Sequence, residues 1–481
     1  MSSPSRVIPI QPADDATRRP ASMFEAQRKV YARSVKGLFA SWRWVMVWIT
    51  QLIFYGLPWL SWNGRQAVLF DLDARRFYLP GLVLYPQDFI YLSALLVLSA
   101  FALFFFTAIA GRMWCGFACP QTVYTEIFMW IERRIEGDRI ARMKLDQAPW
   151  SARKLVRKGA KQAAWIALSL WTGFTFVGYF TPIRELGASA LALGLGPWES
   201  FWVFFYGLAT YGNAGFLREQ VCKTMCPYAR FQGSMMDKDS LIIGYDSRRG
   251  ESRGSRARSA DPKALGLGDC IDCTLCVQVC PTGIDIRNGL QMECIGCAAC
   301  IDACDKVMDK MGYARGLIRY ATVNGLEQGL GKAQMWRRVA RPRVLVYGAL
   351  LLAVGVAFTA SLALRDPLRV NVVRDRGVMA RMVDDGAVEN VYRVLVMNAT
   401  EAPQRYRIAA SGLPGLAVAG DTELELAPAA ERSIPVSVRL PAEAAAALSE
   451  RTQHIRFEVT QVAGQGRAAS VQEASTFLLP R

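Results

Sequence analysis

Eight cysteines stand in two closely spaced runs, and their spacing limits what this chain can hold more than any other feature of the sequence. In each run two residues separate the first three cysteines from one another, and a fourth cysteine follows after three more residues. This is the bacterial pattern for two 4Fe–4S clusters, in which three thiolates bind one cube and the fourth reaches the neighbouring cube. The runs are Cys270, Cys273, Cys276 and Cys280, and Cys294, Cys297, Cys300 and Cys304.

The crossed ligand pattern gives each cluster three cysteines from one run and one from the other. We therefore assign cluster one to Cys270, Cys273, Cys276 and Cys304. Cluster two takes Cys280, Cys294, Cys297 and Cys300. The alternative, structural zinc, also uses paired CxxC sequences, but rarely three cysteines at this spacing plus a fourth, twice over. The runs therefore predict an electron carrier with a small ferredoxin-like α+β insert.

The other four of the twelve cysteines form two copies of a second motif, CxxxCP. The copies are Cys115, Cys119 and Pro120, and Cys222, Cys226 and Pro227. Residues four apart share a helix face, so the two sulfurs of a pair can converge, and the proline predicts a helix start or a kink. Three roles stay open for these sulfurs: a copper site, because soft thiolates select Cu(I); a redox-active dithiol or additional metal centre; or packing as small apolar residues.

Glu126 falls on the same face as the first pair if a helix continues past the proline. There it could shuttle a proton or bind a metal ion. A solvated or arginine-paired acid is the more common role for such a residue.

The composition favours a membrane protein, because 52% of the residues are hydrophobic. Apolar segments of about 20 residues can cross a bilayer as helices. We expect five such helices, and no signal peptide before the first. The expected helices are Trp42–Leu60, Phe89–Ala110, Ala163–Phe180, Trp198–Phe216 and Val344–Leu364.

Lysine and arginine counts set the expected orientation. The stretches 111–162 and 217–343 carry eleven and twenty of these residues, whereas 61–88 and 181–197 carry three and one. By the positive-inside rule the N-terminus and the two basic stretches are cytoplasmic, and the residues after 364 are periplasmic. We thus predict a multi-pass protein of the bacterial inner membrane, with every cysteine on the reducing side or at the cytoplasmic ends of spans.

The net charge of +16 comes entirely from the part of the chain before residue 365. Because this excess borders the expected spans rather than forming one basic face with aromatic platforms, it argues against a nucleic-acid partner.

The expected fold is a multi-domain membrane protein, with an α-helical core, the cluster-binding insert and a C-terminal all-β, immunoglobulin-like sandwich. The sandwich is predicted because short alternating runs such as HIRFEVTQ are separated by turn residues. The four core spans form two half-repeats, each ending in an arginine and a CxxxCP motif. The expected divisions are a tail (1–40), the core (41–216, its second half-repeat ending in 217–235), a linker (217–264), the insert (265–320), a linker (321–343), a fifth span (344–364) and the sandwich (370–481).

Several long stretches resemble the CcoG/FixG/RdxA family of accessory proteins for cbb3-type cytochrome oxidase. They are RQAVLFDLDARRFYLPGLVLYPQD, WCGFACPQTVYTEIFMWIERRIEGDR, YDSRRGESRG, CIDCTLCVQVCPTGIDIRNGLQMECIGCAACIDACD and the cysteine-free tail. The resemblance covers nearly all of the chain from Phe24. One departure is Ala32, where the family often has proline.

The resemblance implies a membrane-bound cupric reductase that converts Cu(II) to Cu(I) for the oxidase. The eight cysteines of the two runs would pass electrons through their clusters. Cys115, Cys119, Cys222 and Cys226 would then bind or reduce copper. The implied partners are the lipid bilayer, oxidase subunits or copper chaperones and transporters, and a cytoplasmic electron donor that the sequence does not identify.

Two other functions remain open at this point. One is a quinol-linked membrane ferredoxin that passes electrons to another reductase. The other is a non-enzymatic scaffold for oxidase assembly, in which the tail docks an oxidase subunit and the clusters sense iron or oxygen.

Overall fold

The structure is a computed structural model that describes residues 29–262, 264–375, 380–383, 386–464 and 469–480. Most of the predicted tail (1–40) lies outside the described residues, and residues 29–36 form neither helix nor strand. The helices are α1 Leu38–Gly56, α2 Phe89–Ala110, α3 Met113–Phe117, α4 Pro120–Glu136, α5 Arg139–Gln147, α6 Ala152–Val177, α7 Ile183–Leu191, α8 Pro197–Gly212, α9 Arg218–Gln220, α10 Pro227–Met235, α11 Ser247–Gly250, α12 Leu275–Gln278, α13 Ala299–Met311, α14 Val323–Gln328, α15 Lys332–Arg337, α16 Pro342–Ala363 and α17 Ala442–Ala446.

The strands build three small sheets before α16 and two larger sheets after it. Before α16 they are β1 Ser61–Trp62, β2 Arg65–Gln66, β3 Leu69–Asp71, β4 Arg76–Leu79, β5 Leu82–Leu84, β6 Ile242–Tyr245 and β7 Ile318–Ala321. After α16 they are β8 Leu368–Arg374, β9 Arg381–Met382, β10 Val388–Asn398, β11 Gln404–Ser411, β12 Ala417–Ala419, β13 Glu423–Leu426, β14 Glu431–Leu440, β15 Thr452–Gly464 and β16 Ser470–Leu478.

Two helices of the described chain, not five, are long and apolar enough to cross a membrane. They are Pro86–Ala110, which includes α2, and α16. They lie side by side, with the Tyr91 hydroxyl donating to the carbonyl of Ser361 at 3.2 Å. This corrects the prediction of five spans.

The other three predicted spans form helices, but each has a feature that lowers its apolar length. α1 carries Arg43 in its second turn. α6 has five lysines or arginines in its first ten residues. α8 is 16 residues long, fewer than the roughly 20 that a spanning helix needs.

The two half-repeats place their prolines alike. Pro120 is the first residue of α4, and Pro227 is the first residue of α10. Proline suits this position, because its missing N–H would have no partner in the first turn and its φ is already helical. The prediction that each CxxxCP motif marks a helix start is therefore confirmed.

The predicted β-sandwich is present after α16. One sheet has the order β12–β14–β10–β8, with β9 on β10, and the other has the order β13–β11–β15–β16. Buried and exposed residues alternate along β11, as expected when one face of a strand meets the core. The largest side chains of that core are Tyr392, Tyr406, Phe457 and Phe477.

The sandwich also rests on the short sheet β3–β4–β5 next to α2. Val83 and Tyr85 of this region pack with Met397 and Ala399 of the sandwich. The buried carboxylate of Asp88 accepts from two arginines that follow α16, Arg365 at 3.2 Å and Arg369 at 2.9 Å. These contacts join the sandwich to one end of the α2–α16 pair.

The sequence Asn398–Ala–Thr400 matches a glycosylation motif, but the structure gives it another role. Asn398 is fully buried, and its amide donates to the carbonyls of Ala402 and Ala427 at 2.8 and 3.0 Å. Its side-chain oxygen accepts from the Thr400 hydroxyl at 2.6 Å. The motif therefore holds a turn and offers no accessible amide.

We expect Val459→Ala to destabilise the sandwich by about 2 kcal/mol, because it removes two methyl groups from a fully buried side chain. Val462→Ala in the same strand is the matched control, since that side chain is 44% exposed. The measurement is the urea dependence of hydrogen exchange in sandwich peptides of the full chain. Equal destabilisation by both variants would contradict this core.

Candidate metal centres

The two predicted cluster loops have the same backbone shape. In the first, Asp272 and Thr274 have φ values of 51° and 56°, and in the second, Gly296 and Ala298 have 70° and 58°. These residues stand at equivalent places, directly before and after the second cysteine of each run. Left-handed conformations cost side-chain-bearing residues of order 1 kcal/mol each, and such strain concentrates at binding sites. Both loops are therefore curled in a way that the sequence alone would not favour.

The eight cysteines of the runs surround two neighbouring cavities. The first cavity is lined by Cys270, Cys273, Cys276 and Cys304. The second is lined by Cys280, Cys294, Cys297 and Cys300, and also by Cys276 of the first set. Each cavity thus has the four cysteines that the crossed pattern gives to one cluster.

The insert holds these cysteines on a small apolar core. Ile243 of β6 and Ile318 of β7 pack with Ile301 and Met308 of α13, and Cys270 and Cys276 join the same cluster of side chains. Folding this core brings the middle of α13, with Cys304, to the first loop. The fourth ligand is thereby positioned by tertiary packing.

Burial favours the neutral form of three of these thiols, Cys276, Cys294 and Cys304. It raises the pKa of Cys276 to about 11 and the pKa of Cys294 and Cys304 to about 12. Iron is bound by thiolates, and its own charge offsets the cost of burying them. A group of buried cysteines around a cavity therefore fits an iron–sulfur cluster.

A single ion is a different case. Among the described residues, no three histidine, cysteine, aspartate or glutamate side chains are placed to hold one metal ion. Structural zinc needs four ligands within about 2.3 Å of a common point. The cysteines instead stand around cavities, as a larger group requires.

The four CxxxCP cysteines come together from the two half-repeats. Cys115 lies in α3, Cys119 precedes α4, Cys222 lies in the π-helix Val221–Met225 and Cys226 precedes α10. Cys222 is near enough to interact electrostatically with the other three sulfurs. We call these four residues the cysteine quartet. Its formation from both halves was not part of the sequence prediction, which paired the sulfurs only within each motif.

The quartet is mostly buried and polar contacts to it are few. Burial raises the pKa of Cys115 to about 11 and of Cys222 to about 12. The Cys115 thiol lies 3.6 Å from the side-chain oxygen of Gln232 in α10. Burial therefore favours the neutral thiol at Cys115 and Cys222. No group of three ligands among the described residues is preformed around a single ion here.

The second cluster loop of the insert lies directly against the first CxxxCP motif, and both backbones carry a glycine at the contact. A methyl group on Gly116, between the first two quartet cysteines, would lie 2.8 Å from the backbone N and Cα of Cys297. A methyl group on Gly296 would lie 3.0 Å from the carbonyl group of Arg112. Such distances exclude side chains at both positions. Cys115, Cys222 and Cys297 consequently share one apolar cluster.

Two arginines, one before each CxxxCP motif, reach across to the opposite half-repeat. Arg112 donates to the carbonyl of Ala229 in α10, and to the carbonyl of Met292 in the insert. Arg218 forms an ion pair of 3.0 Å with Glu132 in α4. This reciprocal pairing fixes the two halves of the quartet against each other.

Glu132 is the centre of a buried ionic network. It also accepts from Arg142 at 2.6 Å and lies 3.9 Å from Lys161. Burial alone would raise the pKa of Glu132, but the three cations outweigh burial and lower it below its usual value. The carboxylate is therefore ionised and holds α4, α5, α6 and α9 together.

Acidic side chains also tie the insert and α4 to α1. Asp302 of α13 accepts from the backbone N–H of Phe39 and of Ala40, at 3.2 and 2.7 Å, and so caps the start of α1. Glu126 pairs with Arg43 of α1. Of the roles considered for Glu126, the structure thus gives the arginine-paired acid.

Sequence reasoning missed the residues that join the domains. Gly116, Arg112, Glu132 and Asp302 carry no motif of their own. The one available signal was that an arginine precedes both CxxxCP motifs at a similar distance.

Comparisons with known proteins match three parts of the chain. Residues 217–323 match a family described as a 4Fe-4S dicluster domain, and residues 92–137 match a 4Fe-4S binding domain. Residues 358–480 match the "IG-like fold at C-terminal of FixG". The two matches to 4Fe-4S domains support bound iron–sulfur clusters, and neither supports copper.

Three curated proteins are similar over most of their length. The nitrogen fixation protein FixG of Rhizobium meliloti is 39% identical over 431 residues, which is 83% of this chain and 82% of FixG. Proteins RdxA and RdxB of Cereibacter sphaeroides are each 38% identical, over 87% of this chain and 90% and 88% of their own. A crystal structure of a FixG-related protein from Vibrio parahaemolyticus covers 24% of this chain and 97% of its own, with 24% identity and a TM-score of 0.21, too low to add to the assignment. The sequence-based expectation is confirmed: the protein belongs to the FixG/RdxA family of 4Fe-4S domain proteins.

Proposed function

We propose that this protein is a membrane-bound iron–sulfur electron carrier that reduces Cu(II) to Cu(I) for assembly of a cbb3-type cytochrome oxidase. The observation that carries the proposal is the contact between the Cys297 loop of the insert and the cysteine quartet. An electron leaving the insert has the quartet as its nearest group of soft ligands. The oxidase enters this proposal through the family resemblance alone.

The proposed location is the inner membrane, with the N-terminus and the insert in the cytoplasm and the sandwich in the periplasm. α2 and α16 supply two spans. α1 and α8 also expose large apolar side chains, among them Leu52 at 66% and Leu208 at 70%, as a lipid-facing surface would. In this arrangement α1, α6 and α8 are membrane-embedded helices that pack beside the two spans.

In this proposal the chain contributes the cysteine ligands for the clusters and for copper. The eight cysteines of the two runs would hold the clusters, which supply one-electron redox chemistry when bound. The quartet offers thiolates, which favour Cu(I) over Cu(II) and so assist the reduction. Each Cu(II) takes up one electron, and the electron originates from a cytoplasmic donor. Oxidase subunits or copper chaperones would receive the Cu(I).

We expect Cys222→Ser to abolish most Cu(II) reduction, because the serine hydroxyl is a hard ligand. The cluster content should stay unchanged, because residue 222 lies outside the two cysteine runs. Cu(I) is measured with a chelator under anaerobic conditions, and iron and acid-labile sulfide are measured in parallel. Thr224→Ala, at an exposed position of the same π-helix, is the control. Full Cu(II) reduction by Cys222→Ser would exclude the quartet as the copper site.

We expect Gly116→Ala to slow Cu(II) reduction by on the order of 10- to 100-fold, because the added methyl group must push the Cys297 loop away from the quartet. Gly159→Ala in α6 is the matched control, since no atom lies within 4 Å of its added methyl group. The rate is followed in single turnover with dithionite-reduced protein. If the two variants react at the same rate, direct contact between the loops is not required.

We expect Glu132→Gln to loosen the quartet, because Arg142 and Arg218 would remain buried without a carboxylate partner among the described residues, at a cost of about 3–5 kcal/mol. Alkylation of Cys222 by a maleimide should become faster, and Cu(II) reduction should fall with it. Glu185→Gln is the control, since Glu185 is exposed and forms no ion pair within the described chain. Unchanged alkylation in Glu132→Gln would argue against the role of this network.

A further inference from the structure

A large open cavity lies between residues 29–37, α1, α4, α5 and the insert. Its volume is about 910 Å³. Six cations and two acids line it. The cations are Arg33, Lys36, Arg43, Arg133, Arg134 and Arg142, and the acids are Glu126 and Asp138.

Both acids of the cavity already have partners. Glu126 pairs with Arg43. Asp138 accepts from the backbone N–H and the hydroxyl of Ser34, at 3.0 and 2.9 Å. Arg142 in turn is paired with Glu132, so two of the six cations are neutralised locally.

The remaining four cations form no ion pair with any residue in the part of the chain that the structure describes. They are Arg33, Lys36, Arg133 and Arg134. Arg33 and Lys36 are exposed side chains of the N-terminal segment, and Arg133 and Arg134 belong to the last turn of α4. The cavity therefore presents uncompensated positive charge from two sides, which is the electrostatic pattern of an anion site.

Three tryptophans form part of the wall and mark the membrane side. Trp44, Trp48 and Trp130 line the cavity, and Trp48 is 62% exposed. Arg134 lies over the Trp130 ring at 5.4 Å. Tryptophan collects at membrane interfaces, and basic pockets on the cytoplasmic side bind anionic lipid headgroups.

We propose that this cavity binds the phosphodiester headgroup of an anionic phospholipid from the cytoplasmic leaflet. The proposal rests on the membrane location given under the proposed function, but not on copper. Arg33, Lys36 and Arg133 contact the phosphate, and the acyl chains run along the exposed apolar face of α1, beginning at Val45 and Ile49.

The lipid would also stabilise the docked insert. Val279, Pro281 and Ala299 form part of the cavity wall, next to Cys280 and Cys300, which line the cavity of the second predicted cluster. A headgroup in the cavity therefore links the membrane interface, the N-terminal segment and the insert in one site.

The test uses the full chain, extracted from membranes in detergent and titrated with phosphatidylglycerol or phosphatidylcholine. Native mass spectrometry counts the bound lipids. We expect one tightly held phosphatidylglycerol and no comparable phosphatidylcholine. The triple variant Arg33→Gln, Lys36→Gln, Arg133→Gln should bind phosphatidylglycerol on the order of 100-fold more weakly.

The matched control, Arg153→Gln, Arg157→Gln and Arg230→Gln, removes three cations that lie outside the cavity and form no ion pair with any described residue. It should bind phosphatidylglycerol like the unchanged protein. An equal loss of binding in both triple variants would overturn the proposal, because it would indicate diffuse surface charge. Displacement of the lipid by inorganic phosphate alone would overturn it as well, since the site would then serve a free anion.

Cluster absorbance and Cu(II) reduction are recorded on the same samples. Lost lipid binding with intact absorbance excludes misfolding as the cause. Lipid binding that persists in protein inactive toward Cu(II) would leave this inference standing while the proposed function fails.

Discussion

The contact between Gly116 and Cys297 is the constraint around which the cytoplasmic part of the protein is arranged. A buried cysteine loop can lie against a second group of cysteines only where both backbones lack side chains, and glycine satisfies this at both Gly116 and Gly296. Two otherwise separate elements, the insert and the CxxxCP motifs, thereby become one apolar site. Any route for electrons from the insert to the quartet depends on this close approach.

Buried charged side chains fix the position of the insert and of the two half-repeats relative to one another. Arg112 and Arg218 each cross from one half-repeat to the other, and Asp302 caps α1 from the insert. Ion pairs of this kind add little net stability compared with apolar packing, but removing one partner is costly because the other charge stays buried without compensation. They therefore specify one arrangement of the halves, which suits a quartet whose cysteines come from two separate motifs in the chain.

The sandwich, which is periplasmic in the proposed orientation, is stabilised by contacts separate from those of the quartet. The sandwich has its own apolar core and rests on β3–β4–β5 through Tyr85 and Asp88. No cysteine follows Cys304, so the redox chemistry ends well before α16. The sandwich is thus held at a fixed position relative to the α2–α16 pair.

The sequence by itself determined the family, the helix starts at both CxxxCP prolines and the sandwich, because each depends on local spacing or periodicity. The ligand set of each cluster stays a prediction from the spacing. The sequence overestimated the number of spans, since Arg43 in α1, the basic first turns of α6 and the 16-residue length of α8 each shorten the continuous apolar helix. Only the tertiary structure decided that the quartet assembles from both halves and meets Cys297, and that unpaired cations surround a cavity. These features join residues that are far apart in the sequence, and no local pattern encodes which distant side chain supplies a counter-charge or leaves room for a backbone.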